Sequence, residues 1–370
     1  MKAEWLARWE GRLRPVLMKG PRAWVIRQYS HGRASFLKRM LNDKVSPVDV
    51  PREAARTLWG IHFRSPLMNA AGMFKNAEGY QMVAAQGAGG YLLGTTTARP
   101  RQGNEREKIR HPFAPYPRSG SASNWLGLPN EGHLAVAKRV ASFEKVDGCP
   151  IGASLMTDPG LDEQEALEGL VEGLRAYEDA GVDFLEINES CPNAGHAHDI
   201  GEGLARRLAY LQEHFLDKRR RRLPVIVKFS NDTASESLPS ILDLLLSLGF
   251  DGVNVGNTST QYKKHLDAIA PSEQALYNFF CETFGGGVSG RPLKKTSLSL
   301  ASTCMNYLKE KPSEREFHVI RTGGVEGVED VKASEEHRIA LNQWYTGYFE
   351  SFSRDGHQLY ARLYERLYTK

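Results

Sequence analysis

Cysteine is scarce in this chain: four residues in 370, at positions 149, 191, 281 and 304, with no short paired spacing. That pattern excludes a zinc ribbon or a cysteine-held iron–sulfur cluster and suits a reducing compartment, so no metal is expected. Long apolar runs are missing too. No stretch approaches the roughly 18 uninterrupted apolar residues of a membrane-spanning helix. The first residues lack the apolar core and small-residue cleavage site of a secretory signal. The expected location is therefore the cytoplasm. Internal repeats and low-complexity linkers are absent as well. Finally, most of the chain lacks a basic excess. The formal net charge is +4, but residues 1–44 hold eleven Lys or Arg and three acids, a net +8, which leaves the remainder at about −4. A slightly acidic body cannot track a nucleic-acid backbone, so no nucleic-acid partner is expected.

The basic arm has a pattern of its own. Trp5, Leu6, Trp9, Leu13, Val16 and Leu17 recur at three-to-four spacing, with Arg8, Arg12 and Arg14 between them. Gly20 and Pro21 break the run, and a second helix carries Trp24, Val25, Tyr29, Phe36, Leu37 and Leu41. Three of the six tryptophans fall within the first 24 residues. Basic residues flanking Trp and Leu mark a helix that lies in a bilayer interface. A helical cap packed on the following domain is the other reading, and the two are compatible. If residues 1–44 engage lipid, the chain is peripheral on the cytoplasmic membrane.

From Pro66 onward short apolar runs alternate with helical patterns, which implies βα units and a parallel sheet. The expected strands are Leu67–Ala71, Tyr91–Thr95, Ile151–Leu155, Phe184–Asn188, Pro224–Phe229, Gly252–Gly256, His318–Thr322 and Ala340–Tyr345. Helical stretches such as Glu163–Ala180 and Ser237–Leu248 separate them. Eight units without a strand-order reversal favour a closed (β/α)₈ barrel. The division expected is an N-terminal helical extension over 1–50 and a barrel over 51–370.

Polar and glycine-rich segments cluster after these strands, at the end where barrel enzymes place their active sites. Gly323-Gly324 and Thr346-Gly347 follow the seventh and eighth strands, the loops that favour phosphate in such barrels. Lys228 ends an apolar strand and needs a negative partner. That partner is either a reduced flavin, which gathers negative charge at N1 and C2=O, or a strand carboxylate such as Glu186. Gly285–Gly290 superficially resembles a phosphate loop, but Arg291-Pro292 follows where Lys and Ser or Thr are required.

Asn188-Glu-Ser-Cys191-Pro-Asn193 carries the sharpest signal. An asparagine amide offers both donor and acceptor, matching the edges of a pyrimidine ring. A thiol with an ordinary pKa of about 8.5 can take a proton from a carbon beside a carbonyl. Cys149, Cys281 and Cys304 read as small core residues.

Together these segments resemble the dihydroorotate dehydrogenase family over roughly residues 55–350. The motifs are Asn69-Ala-Ala-Gly72, Asn124-Trp-Leu-Gly-Leu-Pro-Asn130, Asn188-Glu-Ser-Cys-Pro-Asn193, Asn257-Thr-Ser, Gly286-Gly-Val-Ser-Gly-Arg-Pro-Leu293, Thr322-Gly-Gly-Val325 and Tyr345-Thr-Gly347. The resemblance implies an FMN-binding barrel that oxidises dihydroorotate to orotate in pyrimidine biosynthesis. By motif, the substrate would meet Lys75, Asn124, Asn188, Asn193, Asn257 and Thr258, with backbone groups of Leu126, Gly127 and Leu128. FMN would meet Ala70, Ala71, Gly72, Thr95, Ser154, Asn188, Lys228, Ser289, Gly290, Gly323, Gly324, Tyr345 and Thr346. Cys191 occupies the base position.

Two departures from the family's classes are informative. A cysteine base is typical of the soluble class, whereas Lys75 and the N-terminal helices follow the quinone-reducing class. Where the soluble class carries a substrate lysine after the second strand, this chain has Gly94. Quinone is the expected electron acceptor, with fumarate the alternative. A related FMN barrel acting on another pyrimidine is the competing reading, and Lys75 favours a carboxylated ring over an RNA base.

Overall fold

Eight runs of apolar residues form a parallel sheet because each is buried on both faces, where aliphatic side chains pack. The computed structural model describes residues 2–189 and 202–368. The strands are β1 (Leu67–Asn69), β2 (Tyr91–Thr96), β3 (Ile151–Leu155), β4 (Phe184–Asn188), β5 (Val225–Phe229), β6 (Gly252–Val255), β7 (His318–Thr322) and β8 (Leu341–Trp344). They pair in the order β1-β8-β7-β6-β5-β4-β3-β2. The seam between β1 and β2 is closed by a side chain. Asn69 donates to the Leu92 carbonyl at 2.7 Å and accepts from the Leu92 amide at 3.2 Å. Gly72 N adds a bond to Gly94 O at 2.6 Å. The expected (β/α)₈ barrel is the fold, and every predicted strand lies within two residues of an observed one.

Helices cover the outside. The helix Glu163–Asp179 starts at Asp162, whose carboxylate accepts from the Glu165 amide at 3.0 Å and so satisfies one of the orphan donors of the first turn. Its Ala166, Leu167, Leu170 and Leu174 are buried, as the 3.6-residue period requires.

The two long connections, 96–130 and 257–296, meet one another. Phe113–Tyr116, Ser121–Asn124 and Gly287–Gly290 form a three-stranded antiparallel sheet that the sequence reading did not anticipate. Strands of four residues are too short for a period to show.

The N-terminal arm forms α1 (Ala3–Leu17) and α2 (Arg22–Leu41), split at Gly20-Pro21 as expected. Ala3, Ala7 and Met40 join the main core, while Val25 and Ile26 pack into a second cluster with Ile109 and Phe280. The arm is thus continuous with the core of the barrel. Trp5, Trp9, Leu13, Val16 and Trp24 point outward and are exposed. Among the described residues no helix is long and apolar enough to cross a membrane.

Candidate active site

A parallel barrel delivers the C-terminal ends of all its strands to one mouth, so residues far apart in sequence converge there. Ala70, Ala71 and Gly72 follow β1, Thr95 lies in β2, and Asn188 ends β4. Lys228 lies in β5, Asn257 and Thr258 follow β6, Gly323 and Gly324 follow β7, and Tyr345 and Thr346 follow β8. With Lys75, Asn124, Leu126 and Leu128, and with Ser289 and Gly290 from the insertion sheet, they line a single cavity. Cys191 and Asn193 lie outside the described residues.

Two expected residues stand back from the cavity. Ser154 is fully buried behind Thr95, with the two hydroxyls 3.0 Å apart. Gly127 turns away onto Asn104. Thr95 Oγ1, which lines the mouth, in turn accepts from Asn188 Nδ2 at 3.1 Å, so Ser154 is one residue removed from the cavity.

The asparagines are braced. Asn257 Nδ2 donates to Asn188 Oδ1 at 3.4 Å, and Asn257 Oδ1 accepts from the Thr258 amide at 2.9 Å. Asn231 Nδ2 donates to the Asn257 carbonyl. Asp232 accepts from Ser259 Oγ and from the Thr260 amide, which fixes the rest of that loop. Thr258 Oγ1 is buried and has no hydrogen-bond partner among the described residues. A buried hydroxyl left unpaired costs roughly 1–3 kcal/mol.

At the opposite end the mouth is suited to an anion. The helix α3 (Thr346–Asp355) begins at the cavity with no side-chain cap and no acidic residue in its first turn. Its free N–H groups carry the positive end of the helix dipole. Thr346 Oγ1 and Ser289 Oγ lie 3.0 Å apart beside it. Gly324, at φ +70°, approaches so closely that a Cβ there would sit 2.4 Å from the Lys294 amide nitrogen.

Gly94 sits where the backbone leaves no room for a side chain. Its φ is +93°, and a Cβ would fall 2.3 Å from the Ser154 carbonyl oxygen. No side chain fits there. Lys75 supplies the cation to the mouth instead.

Beneath the mouth lies a polar layer that the sequence reading only half foresaw. Lys228 Nζ is 3.5 Å from Glu186 Oε1 and 3.3 Å from Gln343 Oε1. Glu186 Oε2 accepts from Asn254 Nδ2 and Gln343 Nε2, both at 2.8 Å. Thr322 Oγ1 lies 2.9 Å from Asn254 Oδ1 and 3.0 Å from Gln343 Oε1. Lys228 therefore pairs with the strand carboxylate Glu186 and at the same time lines the mouth. Asn254 and Gln343 were missed. A polar residue inside an otherwise apolar strand was their signal.

A second cavity, about 470 Å³, lies between the arm and the barrel. Leu6, Leu17, Phe36, Leu37 and Phe349 give it apolar walls, and it shares Phe113, Tyr345 and Thr346 with the first cavity. Arg33 on α2 donates to Tyr345 Oη at 2.9 Å. One charged network crosses this cavity: Glu10 accepts from Arg14 at 2.6 Å and from Tyr29 Oη at 2.6 Å, and Arg14 reaches Glu350 at 3.4 Å. Burial holds the Glu350 carboxyl above its usual range.

These features define a (β/α)₈-barrel enzyme with one polar site in the C-terminal mouth and an apolar cavity behind it. Residues 53–354 match the dihydroorotate dehydrogenase family, and the chain belongs to that family. A dihydroorotate dehydrogenase (quinone) of Thermobifida fusca is 29% identical over 322 residues, covering 85% of this chain and 78% of that protein. One from Streptomyces coelicolor is 31% identical over 275 residues, covering 73% and 70%. In three dimensions the chain is similar to ligand-free DHODH from Eimeria tenella, with a TM-score of 0.75, 22% identity and coverage of 92% and 93%. That likeness confirms the barrel.

Proposed function

We propose that this enzyme oxidises dihydroorotate to orotate with FMN as its bound cofactor and passes the electrons to a quinone. The observation that carries the reading is the pair of adjoining cavities: a braced, amide-rich mouth with two lysines, and an apolar chamber that meets it at Tyr345 and Thr346. The curated relatives named above bear the quinone in their names, which agrees with the chamber.

The residues present fit FMN. The uncapped start of α3, the Ser289 and Thr346 hydroxyls and the close approach at Gly324 suit a phosphate. Lys228 suits the pyrimidine edge of the ring, where negative charge collects on reduction. When bound, FMN supplies the acceptor for the hydride that leaves C6 of the substrate.

The chain's own residues do the rest. Lys75 holds the substrate carboxylate, and Asn124, Asn188, Asn193 and Asn257 pair with the ring's N–H and C=O edges. Cys191, three residues beyond Asn188, removes the C5 proton, which the neighbouring C4 carbonyl acidifies. Amide donors that face the developing enolate are each worth a few kcal/mol. The apolar walls of the second cavity exclude water and accept the quinone. The exposed Trp5, Trp9, Leu13 and Val16, with the basic residues around them, set α1 on a lipid surface from which a quinone can enter. The barrel over 51–370 performs the chemistry, and the extension over 1–50 serves the acceptor.

The test is spectroscopic. Purified protein should show flavin absorption that bleaches on anaerobic addition of dihydroorotate and returns with ubiquinone faster than with fumarate. Cys191→Ala should keep the absorption and slow the bleaching at least ~100-fold, in line with losses of a general base. Bleaching at the wild-type rate would remove Cys191 from the reaction. Recovery with fumarate alone would reassign the acceptor.

A further inference from the structure

A carboxylate at the centre of a barrel is expensive to keep there. Glu186 is wholly buried, and its two oxygens are treated differently. Oε2 is held by the amides of Asn254 and Gln343 at 2.8 Å each. Oε1 accepts no hydrogen bond among the described residues, and the nearest opposite charge is Lys228 Nζ at 3.5 Å. Lys228 is itself buried and lines the mouth. A charge removed from water costs several kcal/mol unless it is paired. Two strands contribute amide donors that hold Oε2, and the opposite oxygen is left facing the lysine.

We propose that Glu186 is a positioning residue for the redox reaction: it fixes the Lys228 ammonium under the cofactor and offsets part of its positive charge, which sets the potential at which the enzyme hands on its electrons. This rests on the FMN reading above. An uncompensated lysine beneath the pyrimidine edge would favour the anionic reduced cofactor and retain electrons. The carboxylate weakens that hold, so substrate oxidation and quinone reduction both stay downhill. Lys228 supplies the attraction and Glu186 limits it.

The experiment is a redox titration of the holoenzyme. Glu186→Gln keeps the shape and removes the charge. Its midpoint potential should rise by about 30 mV, a tenfold shift of the two-electron equilibrium. Bleaching by dihydroorotate should be at least as fast as in the wild type, reoxidation by ubiquinone should slow about tenfold, and the KM for dihydroorotate should hold. Glu186→Asp keeps the charge and should bring the potential back toward the wild-type value. A Glu186→Gln midpoint equal to wild type, or equal shifts in the Gln and Asp variants, overturns the proposal. If Glu186→Gln does not fold, Glu186→Met removes the charge at similar length and should raise the midpoint by a similar amount. An unchanged midpoint there overturns it equally. Wild-type protein that binds no FMN would sink the functional reading itself, whereas a titrating wild type with an unmoved variant sinks only the role of Glu186.

Discussion

The two cavities of this enzyme are built on opposite principles. The mouth is fixed by backbone: its polar groups sit at strand ends whose register is set by an eight-stranded parallel sheet. Its side chains brace one another, Asn257 on Asn188 and Asn188 on Thr95. The chamber under the arm is walled by side chains from α1, α2, α3 and the insertion sheet, with one ionic network inside it and the forked Arg33–Tyr345 contact at its border with the mouth. A site that must hold reacting atoms within a fraction of an ångström gains from the first design. A passage for an apolar carrier needs only shape and dryness. The contrast gives a way to separate the two half-reactions, by altering residues that line only one cavity and leaving the shared Phe113, Tyr345 and Thr346 untouched.

Asn257→Ala should break the mouth most severely of these changes. It removes an amide from the site and the acceptor that holds the Thr258 amide, so dihydroorotate turnover should fall on the order of 100-fold, as for loss of one preorganised donor. Reoxidation of dithionite-reduced enzyme by ubiquinone, measured by stopped flow, should stay within about twofold. A comparable fall in both half-reactions would show the cavities to be coupled.

The mouth also carries an acid-sensitive support. His133 is buried beneath β2 with Nδ1 2.8 Å from Thr96 Oγ1, and burial lowers its pKa to about 3. An unfolded histidine titrates near ~6.5. Between these values the unfolded chain binds the extra proton, so the stability from the neutral ring is complete above ~6.5 and is lost as pH falls toward 3. At about pH 4.5 the loss should be about 3 kcal/mol. Urea unfolding at neutral and acid pH measures it, and His133→Gln should flatten that dependence. An equal slope in the variant assigns the sensitivity elsewhere.

The chamber is tested from the other side. Removing residues 2–19 strips away α1, which buries only Ala3 and Ala7 in its own span. Ubiquinone turnover and liposome binding should fall roughly tenfold or more while bleaching by dihydroorotate persists, since the lost helix contributes chiefly apolar wall and interfacial tryptophans. Full ubiquinone activity in the shortened protein would deny the arm its role. The smallest effect belongs to Glu350→Gln. The Arg14–Glu350 contact is 3.4 Å long and its carboxylate is one-third exposed, so the variant should cost less than about 1 kcal/mol in thermal unfolding.

Much of this was legible in the residues. The eight strands were, because burial on both faces writes an apolar run into each of them. So were Asn188, Asn257, Thr258 and the glycines after β7, because polar residues at strand ends have no packing reason to be there, whereas Lys75 and Asn124 were reached only through the family resemblance. The three-stranded insertion sheet was not, since its third strand comes from the other long connection and pairs Gly287 with Asn124. The position of Ser154 behind Thr95 was equally hidden: alternation along a buried strand does not say which side chain reaches the mouth. Arg33 read as one basic residue among eleven in the arm, and only the packing of α2 brings it to Tyr345.

By itself the sequence determined the barrel, the class of chemistry and the basic arm, because periodicity, composition and motif are local properties carried by neighbouring residues. The tertiary structure alone decided which partners Lys228, Glu186, Asn254 and Gln343 choose and where the chamber meets the mouth. Those relations join different strands and helices, and a distance of 3.5 Å between two buried charges exists only once the sheet has closed.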